Sequence, residues 1–185
     1  SDSRVVPNLF ASTDPGDLFV VRNVGNFVPP RMHEKPDFSV SEGAALEFSL
    51  HALPVKHIII CGHSECGAMI AITQNRQIDN ATYLMNWLDQ GKYIDKNAAS
   101  RYKLSRDLKP HNQLSQLNVL QQVEHMKTYP IVQQRLQDGS LKIHPWWFDI
   151  ANADVYCFND ATKRFEVIDE ENPVYRELMD PISGS

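Results

Sequence analysis

Residues 56–69, "KHIIICGHSECGAM", decide the fold. Ile58, Ile59 and Ile60 form an unbroken β-branched run, the pattern of a parallel strand covered on both faces. A glycine-bearing turn follows, and a helix is expected from about Gly67. Such strand–turn–helix units build α/β domains, which place their sites at the C-terminal edge of the sheet. His63-x2-Cys66 falls at that edge. Thiolate with imidazole is a zinc pairing. Two ligands alone make a weak pattern, and a buried cysteine with a capping histidine on the turn accounts for them equally well.

Working outward, "SEGAALEFSLHAL" (41–53) reads as a helix that Ser41 can cap, with Ala44, Ala45, Phe48 and Ala52 at helical spacing and Pro54 as its end. "DLFVVRNVGNFVPP" (17–30) reads as a buried strand at Leu18–Val21, ended by Pro29-Pro30. Residues 75–112 are polar and suit short surface helices. From Asn112 to Thr128, Leu114, Leu117, Leu120, Val123 and Met126 recur every three residues, with Val119 broadening the stripe, as in a helix laid on a sheet. "YPIVQQRLQDGS" is a short helix with Pro130 near its start and Gly139 as its stop. "LKIHPWWFDI" and "DVYCFND" read as a hairpin of edge strands turning near 151–154. The expected architecture is therefore α/β: a mostly parallel central sheet flanked by helices, with a C-terminal antiparallel edge hairpin.

The 185 residues suffice for one domain, taken as 1–185, and 42% hydrophobic content argues for a folded globule. A net charge of -5 gives no electrostatic footprint for nucleic acid or an anionic membrane. No apolar run approaches the ~20 residues that span a bilayer, and no Gly-rich phosphate loop is present. Three cysteines make no disulfide framework, so a reducing, cytoplasmic setting is expected and the sequon at Asn80 is read as accidental. Cys61 and Cys157 lie in phase with apolar strands and read as core. His144 reads as an oriented structural histidine; His33, His51, His57, His111 and His125 are assigned to solvent.

In "SDSRV" at the start of the chain, Asp2 and Arg4 are one residue apart, which puts both side chains on one side of an extended loop. A guanidinium fork keeps a carboxylate ionised and oriented. Taken alone, the pair reads equally as an exposed terminal salt bridge of little energetic weight.

"SDSRV" followed about sixty residues later by "CGHSECGA" resembles the β-class carbonic anhydrases, whose pattern is Cys-x-Asp-x-Arg and then His-x-x-Cys. "PGDLFVVRNVGNFVPP", "EGAALEFSLHAL" and "LKIHPWWFDI" extend the likeness over nearly the whole chain. The resemblance implies Zn2+ held by His63, Cys66 and a cysteine that would directly precede Ser1, with water or Asp2 in the fourth position. It also implies that the first central strand and an N-terminal helical arm lie outside this sequence. The implied reaction is reversible hydration of CO2 to bicarbonate and a proton by zinc-bound hydroxide, which the Asp2–Arg4 dyad orients. Two thiolates weaken the Lewis acid relative to a three-histidine site, whose water ionises near pH ~7, so activity is expected to rise into the alkaline range.

By the same resemblance Val5, Phe19, Val24, Phe48 and Gly67 line the CO2 pocket. Arg22 either holds a regulatory bicarbonate or braces the strand end or a dimer interface; Phe148 stands where members with that pocket carry a tyrosine. A homodimer or larger homo-oligomer is implied. Two alternatives remain: hydrolysis of carbon disulfide or carbonyl sulfide on the same scaffold, and a non-catalytic scaffold homologue. Gas-exchange and sulfide-release assays separate the first, and metal analysis the second.

Overall fold

A computed structural model describes residues 2–7, 14, 16–31, 41–95, 97–98 and 101–169. Four strands form one sheet in the order β1 (His57–His63), β2 (Lys142–Asp149), β3 (Asp154–Asn159) and β4 (Arg164–Val167). β1 and β2 are parallel, in register from His57↔Lys142 to His63↔Phe148; β2/β3 and β3/β4 are antiparallel. The crossover from β1 to β2 carries α2 (Gly67–Thr73), α3 (Thr82–Leu88), α4 (Pro110–Met126) and α5 (Pro130–Gln137), and α1 (Ser41–Ala52) precedes β1. The α/β class with a helix-flanked sheet is as expected.

Four expectations are corrected. Leu18–Val21 form no strand; they run extended with Phe19, Val20 and Val21 exposed, because no described strand offers them a ladder. The hairpin strands are not both at the edge: β2 lies between β1 and β3, and β4 occupies the edge. Pro145 is tolerated in β2 because it precedes the residues that pair with β3, so that ladder loses no donor. In α1 the buried positions are Gly43, Leu46, Ser49 and Leu50, whereas Ala44, Phe48 and Ala52 are exposed.

The histidines are the fourth. His125 is buried, and its Nδ1–H donates to the Val28 carbonyl over 2.8 Å. His57 stacks on the buried His144, and His111 approaches Glu65. His51 is exposed and His144 is structural, both as expected, and His33 lies outside the described residues.

α4 carries the site-bearing region. Its apolar stripe buries Leu114, Leu117, Val119, Leu120 and Met126. Removing side chains of this size from water stabilises by ~1.5–3 kcal/mol each. Its polar residues are buried too. Asn118 Nδ2 donates to the Gly25 carbonyl (2.8 Å), Gln122 Nε2 to Asn118 Oδ1 (2.8 Å), and the Val28 backbone N–H to Gln122 Oε1 (2.8 Å). This ladder ties the segment 23–28 to the helix. Gly25 permits the approach: its φ is +80°, and a Cβ there would fall 2.6 Å from the Phe27 ring.

Candidate metal centre

β1 ends at His63, and Ser64 and Glu65 turn the chain into Cys66, which immediately precedes α2. The turn is held on two sides. On the sheet side, Ser64 N–H donates to the Phe148 carbonyl (2.9 Å), Ser64 Oγ donates to Asp149 Oδ1 (3.0 Å), and the Ile150 N–H donates to Ser64 Oγ (2.9 Å). On the helix side, Ser115 Oγ donates to the His63 carbonyl (2.9 Å), and Trp147 Nε1 lies 3.2 Å from the same hydroxyl. The loop is thus set by β2 and α4, neither adjacent in sequence.

His63 Nδ1 lies 2.9 Å from the Ser64 carbonyl. A carbonyl only accepts, so Nδ1 carries the proton and Nε2 keeps its lone pair. Cys66, three residues on, favours the charged form of this imidazole. Burial would push the Cys66 thiol up, but His63 and the backbone N–H groups of Met69 and Ala68 outweigh it and lower the pKa. Burial likewise opposes a charge on His63, yet Cys66, the Ser64 carbonyl and the Asp2 charge raise its pKa. A lowered thiol beside an imidazole with a defined tautomer is the donor chemistry zinc takes. Beside them, a Cβ at Gly67 would meet nothing within 4 Å, so the approach is open.

Asp2 and Arg4 form a fork. Arg4 Nε donates to Oδ1 (2.9 Å), Nη2 to Oδ2 (2.6 Å), and the Arg4 backbone N–H again to Oδ1 (3.0 Å). The Arg4 side chain, and then its backbone N–H, hold the Asp2 carboxyl well below the usual carboxylate range; His63 lowers it further. Among the described residues, no group of three His, Cys, Asp or Glu side chains stands close enough to hold a metal ion.

The other expected residues are placed unevenly. Val5 is buried beside the dyad. Phe19 and Phe48 pack on each other with ring centroids 5.9 Å apart, yet remain 47% and 54% exposed. Val24 is exposed, and its carbonyl accepts from Trp87 Nε1 (2.6 Å). Arg22 donates to the carbonyls of Val5 (2.9 Å) and Asp2 (2.6 Å), so it braces the dyad loop. Cys61 and Cys157 are core thiols that burial pushes up to about 12. Glu65, Lys109, His111 and Asn112 form a polar cluster beside the loop that no sequence pattern signals.

The family model described as carbonic anhydrase matches residues 1–155. A carbonic anhydrase of Synechococcus elongatus is 34% identical over 174 residues, covering 92% of this chain and 61% of that protein. One of Pseudomonas aeruginosa is 33% identical, covering 94% of this chain and 77% of its own length. Among solved structures, the β-carbonic anhydrase CcaA superposes with a TM-score of 0.76 at 33% identity, covering 91% of this chain and 80% of that one. A tetrameric β-carbonic anhydrase of Sordaria macrospora gives 0.70 at 27%, covering 86% and 77%. The chain belongs to the β-carbonic anhydrase family.

Proposed function

We propose that this protein catalyses the reversible hydration of CO2 to bicarbonate and a proton, with zinc held in part by His63 and Cys66. The observation that carries the reading is that His63 and Cys66 share the turn at the C-terminal end of β1, in a chain whose residues 1–155 match the carbonic anhydrase family model. The remaining thiolate of the family pattern would directly precede Ser1. Bound zinc would supply a Lewis acid that lowers the pKa of water, less strongly with thiolate ligands than with three histidines, so that water becomes nucleophilic in the alkaline range.

The chain's own residues then position the reactants. Asp2, with Arg4 on both oxygens, is an acceptor that stays ionised; it takes a hydrogen bond from the attacking water without taking its proton. That bond turns the water's oxygen lone pair toward the carbon of CO2. Arg22 holds the backbone on which Asp2 rides, so the carboxylate keeps its direction. CO2 needs an apolar berth, which Val5, Phe19, Val24 and Phe48 supply beside the open face of Gly67. In the balanced reaction water adds to CO2, and one proton leaves to buffer as bicarbonate forms.

The protein also forms a homo-oligomer in this reading. Val6, Val20 and Val21, outside the CO2 berth, are exposed, and exposed apolar residues of this kind suit an association face. No helix among the described residues is long and apolar enough to cross a membrane. The test is stopped-flow CO2 hydration with zinc analysis of the full natural protein. One zinc per subunit with chelator-sensitive hydration supports the proposal; a metal-free protein without hydration overturns it.

A further inference from the structure

We propose that Glu65 is a positioning residue of the metal-binding loop: clamped to the first turn of α4, its carboxylate fixes the relative placement of His63 and Cys66. The inference rests on the zinc reading above. Glu65 stands between the two donors at φ +54°, a left-handed conformation that glycine adopts freely and glutamate does not. The backbone alone would favour glycine here; the carboxylate is what the position uses.

Three side chains of one helical turn converge on Glu65 Oε1: Lys109 Nζ at 3.0 Å, His111 Nε2 at 3.2 Å and Asn112 Nδ2 at 3.1 Å. Asn112 also takes the other end of the residue, its Oδ1 accepting from the Glu65 backbone N–H over 2.8 Å. Asn112 therefore reads main chain and side chain of Glu65 together. One helical turn further along, Ser115 Oγ holds the His63 carbonyl. The positions before and between the donors are thus indexed to a single rigid helix, and Ser64 is indexed to β2 from the opposite side. A carboxylate at a helix N-terminus is also favoured by the helix dipole. Glu65 does not stand with His63 and Cys66 as a third ligand, because among the described residues no group of three His, Cys, Asp or Glu side chains is close enough to hold a metal ion.

The test uses the full natural protein with Co2+ in place of zinc, compared across wild type, Glu65→Gly, Glu65→Gln and Asn112→Ala. It reads metal affinity by chelator competition, the thiolate-to-cobalt and visible cobalt absorption bands, and the melting temperature of the metal-free protein. Glu65→Gly is expected to keep or raise that melting temperature while losing about 10–100-fold in metal affinity and shifting the cobalt bands. Glu65→Gln, which keeps a carbonyl acceptor for the three donors, is expected to stay within about threefold of wild type. Asn112→Ala should follow the glycine variant. The proposal is overturned if Glu65→Gly matches wild type in affinity and spectrum, if affinity falls only in step with melting temperature, or if glutamine is as poor as glycine. A wild-type protein that takes up cobalt without a thiolate band sinks the zinc reading itself, a result distinct from any of these.

Discussion

Arg22 Nη2 donates to the backbone carbonyl of Asp2 over 2.6 Å, while its Nη1 reaches the carbonyl of Val5. One planar guanidinium thus spans the loop that carries the dyad, from a position 20 residues away in sequence. Lysine offers a single point charge and cannot bridge two carbonyls in this way. Arg22→Lys is expected to lower kcat about 10- to 100-fold, since a misdirection of ~1 Å can cost that much, with zinc content unchanged. Stopped-flow hydration beside metal analysis checks it; wild-type kcat would remove Arg22 from the positioning of Asp2.

Asp2 titrates well below the ordinary carboxylate range because Arg4 stabilises its charge. At any pH where the protein is folded the carboxylate is ionised, so no loss of activity above about pH 4 comes from Asp2. Asp2→Asn replaces the paired anion by a neutral amide. It should lower kcat at least about 100-fold by a similar factor across the pH range. A wild-type kcat in the asparagine variant would remove Asp2 from the reaction.

His57 Nδ1 and His144 Nε2 are 3.0 Å apart with the rings stacked. Desolvation, the neighbouring His57 and Lys142 push His144 down to about 4; desolvation and then Lys142 and Lys56 lower His57. Both pKa values are depressed on folding, so below about 6.5 the unfolded chain binds more protons than the folded one. Stability is complete above that pH and is lost as pH falls from about 6.5 toward 4. The loss is on the order of 1–3 kcal/mol. Urea unfolding at pH 7.5, 6 and 5 measures it, and His144→Gln should flatten the slope. A slope equal to wild type would assign the acid sensitivity elsewhere.

What could be read from the sequence followed from local pattern. The Ile58–Ile60 run and the glycine turn marked β1 and its site because a covered strand needs continuous apolar residues. The stripe from Leu114 to Met126 marked α4 in the same way. Leu18–Val21 carry the same signal as β1 and form no strand, since a ladder is a property of neighbours. β4 has only four residues, Arg164 to Val167, and its polar–apolar alternation is too short to stand out. His125 read as solvent-facing because polar side chains are usually exposed; it is buried, with Asn118 and Gln122, because Gly25 and Val28 need their hydrogen bonds. The two halves of the site were joined beforehand only by family resemblance. Glu65 was invisible because its partners lie at 109–112, brought in by tertiary packing.

Gly62, one residue before His63, is where that packing is tightest. A Cβ there would fall 2.6 Å from Val119 Cγ2, 3.2 Å from Ser115 Oγ and 3.4 Å from the Ser115 carbonyl. The obstruction comes from the helix that holds the His63 carbonyl through Ser115, so a methyl group must push α4 away from β1. Gly62→Ala is expected to destabilise by about 1–3 kcal/mol and to weaken metal binding through the displaced Ser115. Val119→Ala removes the nearest atom and alone costs a cavity of about two methyl groups. Combined, the two changes should be less damaging than the sum of the singles, because the added methyl fills part of the space that was vacated. Denaturant unfolding of all four proteins gives the coupling energy. Strict additivity would mean that contact with Val119 is not what makes glycine necessary at this position.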